Sequence, residues 1–338
     1  MTDAHRILFL RTDRLGETLL TLPAVTALGA ALPGASLTLL VHPQLHSLLA
    51  GVPGVTEVLT HDPRSHRVWW VRAWRLGRVL RSRRFDAAVV SNPMKELHLA
   101  VWLAGIPHRV GYGRKWGWCL SRRIPDRKAL GERHEVEYNL DLVKALVGGA
   151  IAPPSAPWQL AGFEREEGEV LRLLERQGIH GSEPLIAVHP WTSNPLKQWP
   201  ITRYQELVRV LSQRLPVALI GGPEERAVAP HVLPADHPTT SGGGSTPRVV
   251  DLVGRISLRQ LAALLRRSRL LVSNDSGPVH LAAAVGTPTV ALFGTPDADT
   301  GPRRWGPWGE CHTVIWKESM EAITVDDVVA AVREVLER

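Results

Sequence analysis

Short apolar runs alternate with longer amphipathic ones through the first 150 residues. Ile7–Leu10, Ser36–Val41 and Ala87–Val90 have the length and continuous apolar character of strands buried on both faces. Thr18–Ala31, Val68–Leu80, Met94–Ala104 and Glu132–Val147 carry helical spacing, with Pro23 predicted to kink the first of them. This strand–helix alternation predicts a parallel, doubly wound sheet. The run Ala152-Pro153-Pro154-Ser155-Ala156-Pro157 then breaks the pattern, because proline removes backbone donors and stops helix and sheet alike.

The alternation resumes after a charged helix at Glu164–Gln177. Strands are predicted at Leu185–His189, Val217–Gly221, Val249–Leu252, Leu270–Ser273 and Thr289–Phe293. Helices are predicted at Ile201–Leu211, Leu258–Arg267 (with Ser257 as N-cap), Pro278–Val285 and Val325–Leu336. Asp236–Arg248, containing Ser-Gly-Gly-Gly-Ser-Thr, reads as a flexible loop. At roughly 150 residues per domain, 338 residues suggest about two domains. The expected division is 1–154, 155–319 and a terminal segment 320–338. Two parallel α/β halves facing one another would place strand C-termini at a shared cleft, where open α/β sheets bind ligands.

Composition narrows the class. With 44% hydrophobic and 22% charged residues the chain is globular, neither disordered nor fibrous. Cys119 and Cys311 are too few for a disulfide framework or a metal–thiolate site and fit a reducing cytosol. Neither a signal peptide nor a run of apolar residues long enough to span a membrane occurs. The expectation is cytoplasmic placement, free or peripheral at the cytoplasmic face of an inner membrane. The net charge of +7 favours an anionic partner.

Three segments carry candidate chemistry. Arg11-Thr12-Asp13-Arg14-Leu15-Gly16-Glu17 follows the first strand. Gly16 permits a tight turn and close ligand approach, and Glu17 falls in a helix first turn that favours its ionised form. Glu17 thus serves either as a general base or simply as a helix-terminus charge. His189–Pro200 ends another strand; Thr192, Ser193 and Lys197 in a proline-stiffened loop suit phosphate oxygens, although a solvated loop has the same composition. In Ser273-Asn274-Asp275-Ser276-Gly277-Pro278-Val279-His280, a strand passes into a helix with Pro at its start, leaving anion-binding amides. Asp275 can accept bonds from sugar hydroxyls, and ordinary helix capping is compatible with that role.

Lesser candidates are Glu224 and Glu225 after Gly221-Gly222-Pro223, as ribose ligands or a plain turn, and Asp297-Ala298-Asp299, an Asp-x-Asp pair in a loop composition. Arg64 to Arg84 holds eight arginines interleaved with Trp69, Trp70 and Trp74. Trp70, Ala73, Trp74, Gly77 and Leu80 are spaced as a buried helical stripe, and the arginines as a solvated face. The alternative is a basic, aromatic helix that meets anionic lipid or a phosphorylated acceptor, supported by a second cluster at Arg109–Arg123 with Tyr112, Trp116 and Trp118. No nucleic-acid-binding motif accompanies the charge, so nucleic acid is not expected.

Taken together, these segments resemble the ADP-heptose:lipopolysaccharide heptosyltransferases and their relatives, the family-nine glycosyltransferases. The resemblance rests on Arg-Leu-Gly-Glu-Thr-Leu-Leu-Thr-Leu-Pro, His-Pro…Lys-Gln-Trp-Pro, Gly-Gly-Pro-Glu-Glu, Asp251-Leu-Val-Gly254 and the run from Asp275-Ser-Gly-Pro-Val-His280 to Gly294, in that order. It implies a GT-B fold, two Rossmann-like domains facing an interdomain cleft, with the last helix crossing back to the N-terminal, acceptor-binding domain. It also implies inverting, metal-independent transfer from a nucleotide sugar, with no cofactor. By position Glu17 resembles the catalytic carboxylate, where many members have Asp, one methylene shorter, and Arg14 and Gly16 beside it would lie on the acceptor side. Thr192, Ser193 and Lys197 are similar to the diphosphate loop, and Asp275 to the residue that positions the donor sugar. Ser276 and Gly277 would add phosphate contacts and His280 would line the pocket. Glu225 matches the ribose-binding glutamate better than Glu224, and the Asp251–Gly254 turn would read the base.

The donor implied is ADP-heptose and the acceptor an anionic glycolipid or glycan of the lipopolysaccharide core type. A GT-B nucleotide-sugar epimerase and a non-catalytic nucleotide-sugar-binding protein are the rival expectations.

Overall fold

The computed structural model describes residues 5–151, 160–180, 183–233 and 248–338. The chain divides into two compact units between Leu160 and Ala161. The expected boundary at 154/155 and most of the expected Asp236–Arg248 loop lie outside the described residues.

In the first unit the order is β1 (Arg6–Leu10), α1 (Leu15–Leu19), α2 (Leu22–Ala31), β2 (Ser36–Val41), α3 (His46–Leu49), β3 (Glu57–Thr60), α4 (Trp69–Arg83), β4 (Ala87–Val90), α5 (Lys95–Leu103), β5 (His108–Tyr112), β6 (Arg122–Ile124) and α6 (Glu135–Val147). The strands pair in parallel in the order β3-β2-β1-β4-β5-β6. The apolar runs read from the sequence are the central strands, and Ile7 to Leu10 and Ala87 to Val90 are at most 1% exposed. The expected single helix Thr18–Ala31 is two helices. Thr21 donates its Oγ1–H to Thr18 O at 2.6 Å, and Pro23 sits in the first turn of α2, where its missing N–H costs nothing.

The second unit runs α7 (Glu164–Glu175), β7 (Ile186–His189), α8 (Ile201–Ser212), β8 (Val217–Leu219), β9 (Val249–Asp251), α9 (Leu258–Arg267), β10 (Leu270–Asn274), α10 (Gly277–Val285), β11 (Thr289–Gly294), α11 (Pro302–Trp305), β12 (Thr313–Lys317) and α12 (Val325–Glu337). Its sheet order is β12-β11-β10-β7-β8-β9, again parallel, so the two units share one doubly wound topology. Ser257 caps α9 as expected, in a reciprocal box with Gln260. In each sheet the strand order reverses at one point, between β1 and β4 and between β7 and β10, which is where such sheets bind ligands.

The terminal helix departs from the expectation that it returns to the first domain. Val328, Ala331, Val332 and Val335 of α12 belong to the core of the second unit with Ile186, Leu207 and Leu211. Its start is tied there too: Lys317 of β12 donates to Asp327 at 2.5 Å, and Trp199 Nε1–H donates to Ile323 O at 2.9 Å. An apolar stripe of four residues finds its cover on the nearest sheet face, so the helix stays within its own unit.

Candidate functional site

At the switch point of the first unit, β1 ends in Arg11, which is 5% exposed directly after four buried apolar residues. Its guanidinium donates to Asp13 at 2.7 Å, to Ser91 Oγ at 3.0 Å and to Glu135 at 3.2 Å. Lys128 donates to the same Glu135 oxygen at 2.5 Å, and Ser91 donates to Asn139 Oδ1 at 2.5 Å. Burial works against charge on Arg11, but the Asp13 and Glu135 carboxylates outweigh it and hold the guanidinium protonated. This network fixes the β1 and β4 loops to α6. Sequence reasoning missed it: only the abrupt Arg after a buried strand signals it, since Glu135 is 124 residues away.

Glu17 stands on α1, beside that network. It is half-buried, and burial together with the nearby Asp13 raises its pKa above the ordinary carboxylate range, against its helix-end hydrogen bond and the charges of Arg11 and Arg14. A carboxylate so placed is a better proton acceptor than a free one. Gly16 is buried at the turn, while Arg14 is exposed at the helix N-cap.

In the second unit four loops gather at the C-terminal ends of β7, β8, β9 and β10. Lys197 and Asp275 meet as an ion pair, with side chains 26% and 9% exposed. Burial raises the Asp275 pKa, and Lys197 opposes that rise. Asn274 is the clamp beneath them: its Oδ1 accepts from Trp199 N–H at 3.1 Å and Tyr204 O–H at 3.0 Å, and its amide donates to Pro190 O at 2.7 Å. Sequence reasoning gave Asn274 no role; a polar residue closing a fully buried strand was the available signal.

The remaining expected residues fall around this pair. Thr192 Oγ1 accepts from Asn194 N–H at 3.4 Å, and Ser193 is exposed. Ser276 begins α10, where no side chain caps the helix; its hydroxyl lies 2.9 Å from Ser273 Oγ and 3.2 Å from His189 Nδ1. Gly277 opens the helix, and His280, one turn on, is buried. Lys197, Asp275, Gly294, Thr295 and Thr300 line a small recess.

On the β8 side, Gly254 N–H donates to Gly221 O at 2.9 Å and joins the Gly-Gly-Pro-Glu turn to the Asp251–Gly254 turn. Gly221 has no room for a methyl, since a Cβ would lie 2.8 Å from the Trp191 ring, and a Cβ on Gly222 would meet the Glu225 carboxylate at 2.9 Å. Glu225 is therefore folded back on the loop and half-buried, while Glu224 faces solvent.

Asp297 and Asp299 lie in a turned loop, where Asp297 N–H donates to Thr295 Oγ1 at 3.1 Å and Asp299 O accepts from Trp305 Nε1–H at 2.9 Å. Among the described residues no group of three His, Cys, Asp or Glu side chains is arranged to hold a metal ion.

Comparison with known proteins places this architecture. The model of glycosyltransferase family 9 (heptosyltransferase) matches residues 73–330. Lipopolysaccharide heptosyltransferase 2 of Salmonella typhimurium is 30% identical over 233 residues, which cover 68% of this chain and 65% of that protein. The solved family 9 glycosyl transferase of Veillonella parvula superposes with a TM-score of 0.85 at 20% identity, over 99% of this chain and 98% of its own. The E. coli ADP-heptose LPS heptosyltransferase II superposes with a TM-score of 0.80 at 24% identity, over 98% of each chain. The two like-ordered Rossmann sheets are those of the GT-B fold. With well over half of its length matched by the family model, the chain belongs to glycosyltransferase family 9, the heptosyltransferases.

Proposed function

We propose that this enzyme transfers a sugar, heptose from ADP-heptose by preference, to an anionic glycolipid of the lipopolysaccharide-core type, with inversion and without a metal ion. The observation that carries the reading is the Lys197–Asp275 pair set beside the uncapped N-terminus of α10 at the β7/β10 switch point. An ammonium, two loop hydroxyls and helix amides suit a diphosphate, and the adjacent Asp275 suits sugar hydroxyls. The ADP-heptose named for the E. coli structural relative and the lipopolysaccharide named for the Salmonella relative supply the substrate class.

In this mechanism an acceptor hydroxyl, held on the first unit beside Arg14 and Gly16, attacks the anomeric carbon. Glu17 takes the hydroxyl proton as the new C–O bond forms, and the bond to the diphosphate breaks on the opposite face. The departing diphosphate gains negative charge, which Lys197, Thr192, Ser193 and the Ser276–Gly277 amides stabilise. Glu225 binds the ribose, the Asp251–Gly254 turn meets the base, and His280 backs the pocket.

Calorimetric titration of ADP, UDP and GDP in EDTA tests the donor assignment, with selective ADP binding expected. Preference for UDP or GDP would redirect the donor. Epimer formation without acceptor would replace transfer by epimerisation, and nucleotide affinity with no turnover on any acceptor would leave a binding protein.

A further inference from the structure

The chain holds twelve tryptophans; among the described residues six are 40–56% exposed, of which Trp316 stands alone on β12 while Trp70, Trp74, Trp102, Trp116 and Trp118 lie in the first unit. All five belong to one region of the first unit, α4, α5 and the loop joining β5 to β6. The helical stripe read from the sequence would bury Trp70 and Trp74. The structure instead buries Ala73, Leu76, Gly77 and Leu80 and turns both indoles outward. The α4–α5 seam is too tight for them: a Cβ on Gly77 would lie 3.0 Å from Leu103 Cβ and 3.1 Å from Ala100 O.

The other indoles form a continuous row. Trp69 meets Trp116 at 5.1 Å between ring centroids, Trp116 meets Trp118 at 5.5 Å, and Trp118 meets Trp102 at 5.8 Å. Holding them out has a conformational cost, for Lys115 and Trp116 both adopt left-handed backbone, with φ of 47° and 67°. Buried His98 stabilises that turn. Its Nδ1–H donates to Lys115 O at 2.8 Å, and burial lowers its pKa, keeping the ring neutral.

The solvent-facing charge of this region has one sign, since Glu96 of α5 is buried. Helix α4 carries five arginines and no carboxylate, and residues 108–123 add five more Lys or Arg, again without one. Arg72 and Arg83 pair with Glu96 and Glu57, but Arg75, Arg78 and Arg81 face solvent, and Arg78 lies over the Trp74 ring at 5.0 Å. Indoles prefer the boundary between water and hydrocarbon, and a surrounding excess of guanidinium groups complements lipid phosphate.

We infer that the exposed tryptophans and arginines of α4, α5 and the 113–119 loop form a docking face for an anionic bilayer surface. This deepens the proposed reading, on which its use rests: a glycolipid acceptor lies in such a leaflet. Helices α4 and α5 begin at the C-terminal edge of the first sheet, where the Glu17 turn also lies.

Sedimentation of the full chain with vesicles of phosphatidylcholine, alone or with one third phosphatidylglycerol, tests the inference. Binding is expected to be roughly tenfold or more tighter to the anionic vesicles. Trp70→Ser/Trp74→Ser/Trp118→Ser and, separately, Arg75→Glu/Arg78→Glu should each weaken it by about that factor with an unchanged thermal midpoint. Transfer to a soluble, deacylated acceptor should stay at the wild-type rate while transfer to a vesicle-borne one falls. A wild-type chain that ignores anionic vesicles, or folded variants that bind them as well as wild type, would overturn the docking face. A dimer that the same substitutions dissolve, without vesicle binding, would overturn it in favour of a protein contact. Vesicle binding without sugar transfer would sink the proposed function and leave this inference standing.

Discussion

Lys197 and Asp275, 78 positions apart, share a proton-bearing contact where the loops after β7 and β10 converge. The pair joins the two residues expected to divide the donor between them, one for diphosphate and one for sugar. On the proposed function, nucleotide competes with Asp275 for the Lys197 charge.

That competition separates two substitutions. Lys197→Ala should weaken ADP binding by roughly tenfold or more and lower stability, because buried Asp275 loses its counter-charge. Asp275→Asn frees the ammonium, so ADP affinity should hold or rise while kcat falls. Titration calorimetry with steady-state kinetics measures both, and parallel loss of ADP binding in the two variants would refute the division of roles.

Glu17→Gln should lower kcat by about 10²–10⁴-fold with ADP affinity unchanged. Because burial and Asp13 raise the Glu17 pKa, kcat/KM should fall with decreasing pH along a limb above the ordinary carboxylate range. Asp13→Asn removes a neighbouring negative charge and should move that limb to lower pH. A limb that stays put in Asp13→Asn would remove Glu17 as its source.

Glu135 is 1% exposed and holds two buried cations, Arg11 and Lys128. Glu135→Ala should cost about 3–5 kcal/mol in urea unfolding, since both charges would lose their shared partner in a site that excludes water. A cost near that of a surface substitution would show that the network carries little of the fold.

His189 is buried and its pKa is pushed down to about 4, from 6.5 when unfolded, by desolvation. Between those values the unfolded chain binds the extra proton, so stability should decline as pH falls from 6.5 towards 4. The slope is ~1.4 kcal/mol per pH unit at most. His189→Gln should flatten that decline; His312, also lowered to about 4, leaves a remainder. Urea midpoints across the window decide it, and an unaltered slope would contradict the buried neutral ring.

Much of this protein was legible in its sequence because the signals are local. Continuous apolar runs marked β1, β2, β4, β7, β10 and β11, since strands buried on both faces need nothing else. Gly16, Gly221 and the Asp275-Ser276-Gly277-Pro278 turn marked the loops where candidate chemistry gathers, because turns impose their own residue types. Strands β3, β5, β6 and β12 escaped notice: β3, β6 and β12 are sheet edges, half-exposed and partly charged, and β5 opens on the polar His108 and Arg109 and holds Gly111, so none of them shows a continuous apolar run.

What only the tertiary structure decided was which distant groups share a buried space. No periodicity connects Arg11 with Glu135, or Lys197 with Asp275, because Coulomb attraction and desolvation act through space. The docking of α12 on its own unit and the outward turn of Trp70 and Trp74 were settled in the same way. An amphipathic stripe states that a face must be covered, and only the shape of the available partner, here the tight α4–α5 seam at Gly77, determines which side chains fit beneath it.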